Sequence, residues 1–227
     1  MNKFNRLEKL IGNKNIKKIC NLTILIIGVG GVGGFVVESL ARCNVSNLII
    51  IDNDIIDKTN INRQLIVLDS TIGQNKVDIL EKRIHDINKN CSVIKHKIFL
   101  DKNNIDILSN YNIDYIVDSC DSIETKQEII KYCMNNNIKF ISSMGCGNKL
   151  NPNLLKISTL EKTTYDPIAK KLRLWAKNEK INTRKIKVLF SNEKPIKVEK
   201  GGPGSISFVP SIAGLLITSE IINSELN

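Results

Sequence analysis

A glycine-rich turn followed by an acidic residue is the first pattern in the chain that can do chemistry. The segment GVGGVGG, residues 28–34, contains Gly-x-Gly-x-x-Gly at Gly28, Gly30 and Gly33. Because glycine has no side chain, the backbone of this turn can approach a phosphate, and a helix that begins there directs N–H groups at it. Asp52 follows about twenty residues later, the spacing of an acid that accepts hydrogen bonds from ribose hydroxyls. The pattern predicts a nucleotide site, and a turn that only packs a helix on a sheet is the alternative.

Charged residues after Asp52 favour a nucleoside triphosphate over a redox dinucleotide. Arg63 closes the segment NINR, Lys76 begins a helical pattern, and Asp121 follows a later apolar run. In a parallel sheet these residues meet at the carboxyl edge, where such folds bind ligands. The two cations would neutralise charge as pyrophosphate leaves, and the carboxylate would orient Mg²⁺. Hydride transfer requires none of the three, so we expect a nucleoside triphosphate with Mg²⁺.

Two of the candidate residues also have simpler interpretations. Lysine is abundant in this chain, so Lys76 taken alone could be a solvated surface lysine. Asp54, a second acid beside Asp52, could be an ordinary exposed loop aspartate. Arg63 is harder to dismiss, because it is one of few arginines in the chain.

Apolar runs and helical patterns alternate along the chain, and this alternation predicts the elements that position the site. Buried strands separated by helices are typical of a Rossmann-like α/β fold, with a mostly parallel twisted sheet and helices on both faces. The pattern after residue 151 changes, so we expect antiparallel additions in the second half. We expect strands at 22–28, 47–52, 91–100, 113–119, 138–143, 154–159 and 186–191, and helices at 35–44, 74–88, 123–135 and 166–178, with a closing helix near the C-terminus.

Length and charge indicate how the chain is organised. The 227 residues suit a single domain, 1–227, with a nucleotide-binding part at about 20–145 and a basic, substrate-facing part at about 146–227. Residues 161–200 hold 12 basic and 5 acidic side chains, so they carry +7 of the formal net charge of +10. Aromatic residues interleave with this charge, as in a surface that meets a phosphate backbone. A solvated lysine-rich face is the alternative.

The six cysteines and the hydrophobic segments argue against several other classes of protein. The chain contains no C-x-x-C pair, which disfavours a structural zinc site. Cys120 and Cys146 are expected near the predicted site, where we interpret them as buried, inert thiols rather than reactive ones. No apolar run is long enough to span a membrane, and the charged N-terminus lacks a signal core, so we expect a cytoplasmic protein.

The motifs taken together resemble those of a known superfamily. GVGGVGG, IDNDIIDKTNINRQ and YIVDSCDS resemble the adenylate-forming superfamily of ubiquitin-activating enzymes and activators of bacterial sulfur-carrier proteins. The segment GNKLNPNLLKISTLEKTTYDPIAKKLR, residues 147–173, is similar to the tRNA threonylcarbamoyladenosine dehydratases. That similarity implies ATP-dependent cyclising dehydration of N6-threonylcarbamoyladenosine in the tRNA anticodon loop, by adenylation of the substrate carboxylate and intramolecular ring closure.

The resemblance also implies a set of site residues. Arg6, Arg63, Lys76 and Asp121 match the charged catalytic residues, and Asp121 matches the residue on the Mg²⁺ side of ATP. Arg6 would reach the ATP of a partner subunit, which implies a homodimer. A sulfur-transfer protein is a further candidate partner. The ATP-binding positions fall on Gly28, Gly30, Gly31, Gly33, Asp52, Asp54, Asn60, Arg63, Gln64, Lys76 and Asp121.

Departures from the superfamily pattern leave other functions open. An adenylyltransferase that activates the C-terminus of a ubiquitin-like or sulfur-carrier protein is the main alternative. The zinc cysteines of sulfur-carrier activators are missing, and the segment SNEKPIKVEKGGPGSISF, residues 191–208, lacks the cysteine of thioester-forming relatives. Ring closure needs no enzyme nucleophile. An NAD-dependent oxidoreductase would share only the glycine turn and Asp52, and a degenerate scaffold would not need the charged residues.

Overall fold

The computed structural model describes residues 3–198 and 201–226. The protein is built around one mixed sheet. The strands are β1 Thr23–Ile27, β2 Asn47–Ile51, β3 Ser92–His96, β4 Tyr115–Asp118, β5 Lys139–Ser143, β6 Leu155–Thr159 and β7 Lys187–Ser191. They lie in the order β3-β2-β1-β4-β5-β7-β6. All neighbouring pairs are parallel except β6 and β7, which are antiparallel. The predicted parallel sheet with an antiparallel addition in the second half is confirmed.

Helices cover both faces of this sheet, as the sequence pattern predicts. The helices are α1 Asn5–Ile11, α2 Asn13–Cys20, α3 Gly33–Arg42, α4 Lys76–Ile87, α5 Ile123–Asn135, α6 Pro167–Asn178 and α7 Phe208–Leu226. Apolar side chains of α3, α4 and α7 form one core with one face of the sheet. Side chains of α5 and α6 form a second core with the other face. Because successive side chains of a strand point to opposite faces, each buried strand supplies both cores.

The strand order creates the crevice in which a ligand can bind. From β1 the chain crosses to β2 on one side, and β4 lies on the other side of β1. The connections therefore diverge above the carboxyl ends of β1 and β4, and ligands of open α/β sheets bind at such a switch point. The residues that directly follow β1, β2 and β4 consequently face one another.

The structure shortens two predicted strands and adds two helices to the sequence prediction. The strand predicted at 91–100 ends at His96, and Ile98, Phe99 and Leu100 instead turn over the carboxyl edge of the sheet. The chain leaves β4 at Asp118, three residues before Asp121. Helices α1 and α2 are absent from the prediction; both are short, α1 buries no residue and α2 buries only Ile19.

The C-terminal apolar segment forms α7 and packs inside the protein, as predicted. Its Gly214 lies against α3, where a Cβ would come within 2.5 Å of the Val32 carbonyl oxygen and 2.8 Å of the Phe35 Cβ. The two helices are therefore in contact through backbone atoms. Among the residues that the structure describes, no helix is long and apolar enough to cross a membrane.

We predict that Gly214→Ala destabilises the fold. Alanine favours a helix by about 1 kcal/mol over glycine, but the added methyl group meets backbone atoms that cannot move aside. Overpacking of this kind costs about 1–3 kcal/mol, so a lower urea midpoint is expected. Leu215→Ala, at the neighbouring exposed position, is the control and should change stability by less. An unchanged midpoint for Gly214→Ala would contradict the close packing of α3 and α7.

Candidate nucleotide-binding site

A cavity of about 460 Å³ opens at the carboxyl ends of β1, β2 and β4. It brings together nine of the eleven predicted nucleotide-binding residues, whereas Gly33 and Asn60 do not line it. The lining consists of Ile27, Gly28, Gly30, Gly31, Ile51, Asp52, Asn53, Asp54, Arg63, Gln64, Lys76, Ile98, Phe99, Leu100, Ser119, Cys120, Asp121 and Thr125.

The glycine turn brings backbone within reach of the cavity. Gly28 has a φ of 79°, and a Cβ on it would lie 2.8 Å from the Cys120 amide nitrogen. A Cβ on Gly33 would clash with the Gly28 carbonyl oxygen and approach Ser119 Oγ to 2.5 Å. A larger residue at either position would push the turn away from β4. Gly33 therefore shapes the site without lining it.

Backbone N–H groups of the turn remain available to an anion. Within the described residues, no acceptor takes a hydrogen bond from the amide nitrogens of Gly30, Gly31 or Val32. These groups precede α3, whose N-terminal end carries a partial positive charge. The turn thus has the unpaired donors and the electrostatic field of a phosphate-binding loop.

Asp52 follows β2 and fixes the turn from the opposite side. Its Oδ2 accepts a hydrogen bond from the Val29 N–H at 2.7 Å, and its Oδ1 accepts one from the Asp54 N–H at 2.8 Å. Burial raises the pKa of Asp52, and the positive charge of Lys76 opposes this shift. Each oxygen of the ionised group retains acceptor capacity, which suits ribose hydroxyls.

Lys76 is buried, so the alternative of a solvated surface lysine is wrong. Only 4% of its side chain is exposed, and its Nζ lies 2.6 Å from Oδ2 of Asp54. The pair joins the first residue of α4 to the loop after β2 at the wall of the cavity. Asp54 itself is 57% exposed in its side chain.

The turn at 59–64 aims two polar side chains into the cavity. The Asn60 carbonyl oxygen accepts hydrogen bonds from the amide nitrogens of Arg63 and Gln64, so Asn60 shapes this turn from outside the cavity. Arg63 Nη1 donates to the Thr59 carbonyl oxygen at 3.0 Å and to Asn62 Oδ1 at 2.9 Å. Gln64 is buried, and its Oε1 has no hydrogen-bond partner among the described residues. A buried polar atom without a partner is rare, and the Gln64 side chain lines the cavity.

The remaining walls combine Asp121 with residues that the sequence analysis did not select. Asp121 lies exposed in the loop after β4 and lines the same cavity as Arg63 and Lys76. Ile98, Phe99 and Leu100 form an apolar wall that can pack against a base. The only sequence signal for that wall is its position after a strand, since the motifs do not include it.

A buried ion pair supports the loop that carries Asp121. Lys126 and Asp118 are both 0% exposed, and Lys126 Nζ lies 3.1 Å from each carboxylate oxygen of Asp118. Lys126 also donates to the Ser143 carbonyl oxygen, and Ser142 Oγ donates to Asp118. Burial by itself lowers the pKa of Lys126, but Asp118 outweighs it and the pKa is raised. This cluster ties β4, β5 and α5 together beneath the cavity.

The two cysteines near the site are protonated thiols. Burial is the main cause that raises the pKa of both, to about 12 for Cys146 and well above its usual range for Cys120. The thiolate is the reactive form, so neither residue is activated as a nucleophile. This agrees with the interpretation of inert thiols.

Arg6 is not among the residues that line the cavity. It is exposed on α1. Three residues earlier, Lys3 Nζ donates to the carbonyl oxygen of Ile87, the last residue of α4. Lys76 begins that helix, and a rise of 1.5 Å per residue separates the two ends by about 16 Å.

The donors and acceptors present fit a nucleotide with a phosphate chain. The amide groups of the glycine turn are unpaired among the described residues, and Arg63 lines the same cavity. Asp52 retains acceptor capacity that suits ribose hydroxyls. No group of three or more His, Cys, Asp and Glu side chains that could hold a metal ion occurs in residues 3–198 and 201–226. A divalent cation here would therefore be held by the nucleotide with Asp121, rather than by a protein cluster.

The fold and cavity define a Rossmann-like α/β protein with a ligand site at the switch point of its sheet. The chain belongs to the ThiF family, whose family model matches residues 4–226. It is 38% identical over 239 residues to the tRNA threonylcarbamoyladenosine dehydratase of Bacillus subtilis (strain 168), with 98% of this chain and 94% of the relative aligned. Dehydratases of the same name from Haemophilus influenzae and Escherichia coli align over 66% and 64% of their own lengths.

Solved structures extend this likeness to the whole fold. Crystal structures of the E. coli tRNA N6-threonylcarbamoyladenosine dehydratase TcdA, in complex with AMP and with ATP, match with TM-scores of 0.94 and 0.92 at 28% identity. Both matches cover 99% of this chain, and they cover 94% and 93% of the TcdA chain. The family that the sequence motifs indicate is thereby confirmed.

We predict that Lys126→Met strongly destabilises the protein. The substitution leaves the buried Asp118 carboxylate without its cation, which costs about 3–5 kcal/mol in comparable buried pairs. The free energy of unfolding in urea measures the loss. Lys131→Met on the same helix removes a partly exposed ion pair, so it should cost about 1 kcal/mol or less. Equal effects of the two substitutions would refute the structural role of the Asp118–Lys126 pair.

Proposed function

We propose that this protein is an ATP-dependent tRNA threonylcarbamoyladenosine dehydratase. The substrate carboxylate is adenylated with release of pyrophosphate, and the neighbouring carbamoyl group then displaces AMP and closes a ring, with net loss of water. The observation that carries the proposal is the cavity that joins the glycine turn, Asp52, Arg63, Lys76 and Asp121 in a chain with dehydratase relatives. As an expectation, residues 1–227 act as one domain in the cytoplasm.

The residues of this cavity would divide the nucleotide between them. Asp52 accepts hydrogen bonds from the ribose, and amide groups of the glycine turn hold phosphate oxygens. Arg63 and Lys76 stabilise negative charge as pyrophosphate leaves, because both cations line the cavity that would hold the phosphates. Asp121 would hold Mg²⁺, which would supply positive charge to polarise the phosphates. No protein nucleophile is needed, consistent with the raised pKa values of the nearby thiols.

The location of Arg6 supports a homodimer with shared sites. Because Arg6 does not line its own cavity, it would act by reaching the cavity of a partner subunit. Four large apolar residues of the segment that carries Arg63 are exposed by 42–58% and would suit a subunit contact. These residues are Ile55, Ile61, Leu68 and Ile72. A sulfur-transfer protein stays a candidate partner on resemblance alone.

The first test is a direct assay of the reaction. Incubation of the protein with ATP, Mg²⁺ and tRNA that carries threonylcarbamoyladenosine should release AMP and lower the mass of the nucleoside by one water. Mass spectrometry of the digested tRNA measures the product. Arg63→Ala should lower kcat about 10²–10³-fold, the usual cost of losing one charge-stabilising donor.

Unmodified tRNA is the matched control and should yield no AMP. Intact nucleoside mass in the presence of bound ATP would reject the tRNA substrate. Pyrophosphate exchange stimulated by a carrier protein ending in Gly-Gly, and not by tRNA, would instead assign the adenylyltransferase function. Unchanged turnover of Arg63→Ala would favour a scaffold that no longer uses these charges.

A mixing experiment tests whether Arg6 acts between subunits. Arg6→Ala and Lys76→Ala should each be inactive, but mixed dimers contain one intact site that takes Arg6 from one subunit and Lys76 from the other. Random exchange should therefore restore about a quarter of the wild-type activity. If Arg6 served its own cavity, both sites of the mixed dimer would be defective and no activity would return.

A further inference from the structure

We infer that the outer face of α6, together with Tyr165 just before it, is the surface that receives the anticodon arm of the tRNA. The inference rests on the proposed function, since that function provides the RNA. It goes further by assigning a surface and two kinds of contact: stacking of an unpaired base on Tyr165, and phosphate contacts along α6.

Tyr165 is held with its ring in solvent by anchored neighbours. It is 58% exposed and has a φ of 53°, a left-handed conformation that a large aromatic residue rarely adopts. On one side, Thr164 Oγ1 is hydrogen-bonded to Asn192 Oδ1. On the other side, the buried Asp166 accepts hydrogen bonds at 2.9 Å from the amide nitrogens of Gly145 and Ala169. Strained residues of this kind concentrate at functional sites.

Tyr165 lies at the same edge of the sheet as the nucleotide cavity. Gly145 follows the carboxyl end of β5, and its amide nitrogen donates a hydrogen bond to Asp166. β5 pairs with β4, and the loop after β4 carries Asp121 into the cavity. Neighbouring strands are about 4.8 Å apart, so the two loops begin about one strand spacing apart at the same edge of the sheet. A base held on Tyr165 would thus lie beside the reacting group, and unpaired bases of RNA loops commonly stack on aromatic side chains.

The outer face of α6 continues from Tyr165 as a track of positive charge. Lys170, Lys171, Leu174 and Lys177 recur at helical spacing and are all exposed. The helix contains no acidic residue. From Lys170 to Lys177 the lysines span about 10 Å along the helix axis. The helix runs away from the carboxyl edge of the sheet, so an RNA stem could follow it while the RNA loop stays at that edge.

This charge is uncompensated in the part of the chain that the structure describes. Six exposed lysines between 162 and 185 make no ion pair there, and the nearby acids are occupied elsewhere: Glu161 with Arg184, and Glu179 with Lys131. A second copy of the chain docked by the same face would oppose lysine to lysine. A phosphate backbone supplies the missing charge. The six lysines are Lys162, Lys170, Lys171, Lys177, Lys180 and Lys185.

The charge contacts are tested by the salt dependence of RNA binding. A triple variant with Lys170→Ala, Lys171→Ala and Lys177→Ala is titrated with a synthetic anticodon stem-loop RNA at several salt concentrations. Each lost phosphate contact should reduce the slope of log affinity against log salt by about one, so the slope should fall by about three. The matched control removes equal charge from exposed, unpaired lysines elsewhere and should retain the wild-type slope. It carries Lys14→Ala, Lys82→Ala and Lys89→Ala.

The stacking contact is tested by exchanging Tyr165. Tyr165→Asn removes the ring at a position where asparagine tolerates a positive φ, so the unfolding midpoint should not fall, whereas KM for tRNA should rise roughly tenfold. Tyr165→Phe retains the ring and should keep the wild-type KM. A role limited to folding would change the midpoint instead.

The outcomes separate this inference from the function on which it rests. If the wild-type protein fails to dehydrate modified tRNA, the proposed function is wrong. If it dehydrates the tRNA, but the α6 triple variant keeps the wild-type salt slope or Tyr165→Asn keeps the wild-type KM, then α6 and Tyr165 are not the docking surface. An equal reduction of the salt slope in the α6 triple variant and the control triple variant would also overturn the inference, because it would show that RNA binding depends on net charge alone.

Discussion

The close approach of the glycine turn to β4 is the constraint on which the rest of the site depends. No Cβ fits at Gly28 or Gly33, because the backbone of residues 119–120 and the Gly28 carbonyl oxygen already occupy that space. This contact lets α3 begin directly above the sheet, with its unpaired amide groups beside the ends of β1 and β4. Asp52 completes the arrangement by accepting the Val29 N–H from the neighbouring strand. The cavity lies above these strand ends, which are in parallel register in the sheet.

Electrostatics divides the molecule into two regions with different roles. Inside the cavity, the cations are few and positioned: Lys76 is buried against Asp54, and Arg63 is held by its own turn. On α6, the lysines are exposed and make no ion pair within the described residues. Their contribution to binding therefore depends on their electrostatic field and their spacing. The first arrangement suits charge that develops at one atom during a reaction, and the second suits a phosphate chain that can bind in several ways.

Support for the cavity comes from groups that never touch it. The Asp118–Lys126 pair is wholly buried and links β4, α5 and β5 below the loop of Asp121. An ion pair taken out of water contributes little net stability, yet loss of either partner is costly. The pair therefore fixes where the loop after β4 can lie. The sequence motifs indicate Asp121 but not Asp118, because a sequence does not show whether an acidic side chain at the end of an apolar strand points into the core.

Local sequence patterns predict the sheet, the glycine turn and half of the residues that line the cavity, because strand and helix periodicity are local and the carboxyl ends of parallel strands must share an edge. Asp52, Arg63, Lys76 and Asp121 could be brought together on that argument alone. Three features of the site depend on tertiary contacts and could not be predicted. Lys76 is buried, Asn60 supports the site from outside, and residues 98–100 form one wall of the cavity. The structure also shows that Arg6 does not line the cavity. These outcomes depend on contacts between segments far apart in the chain, which no local pattern encodes.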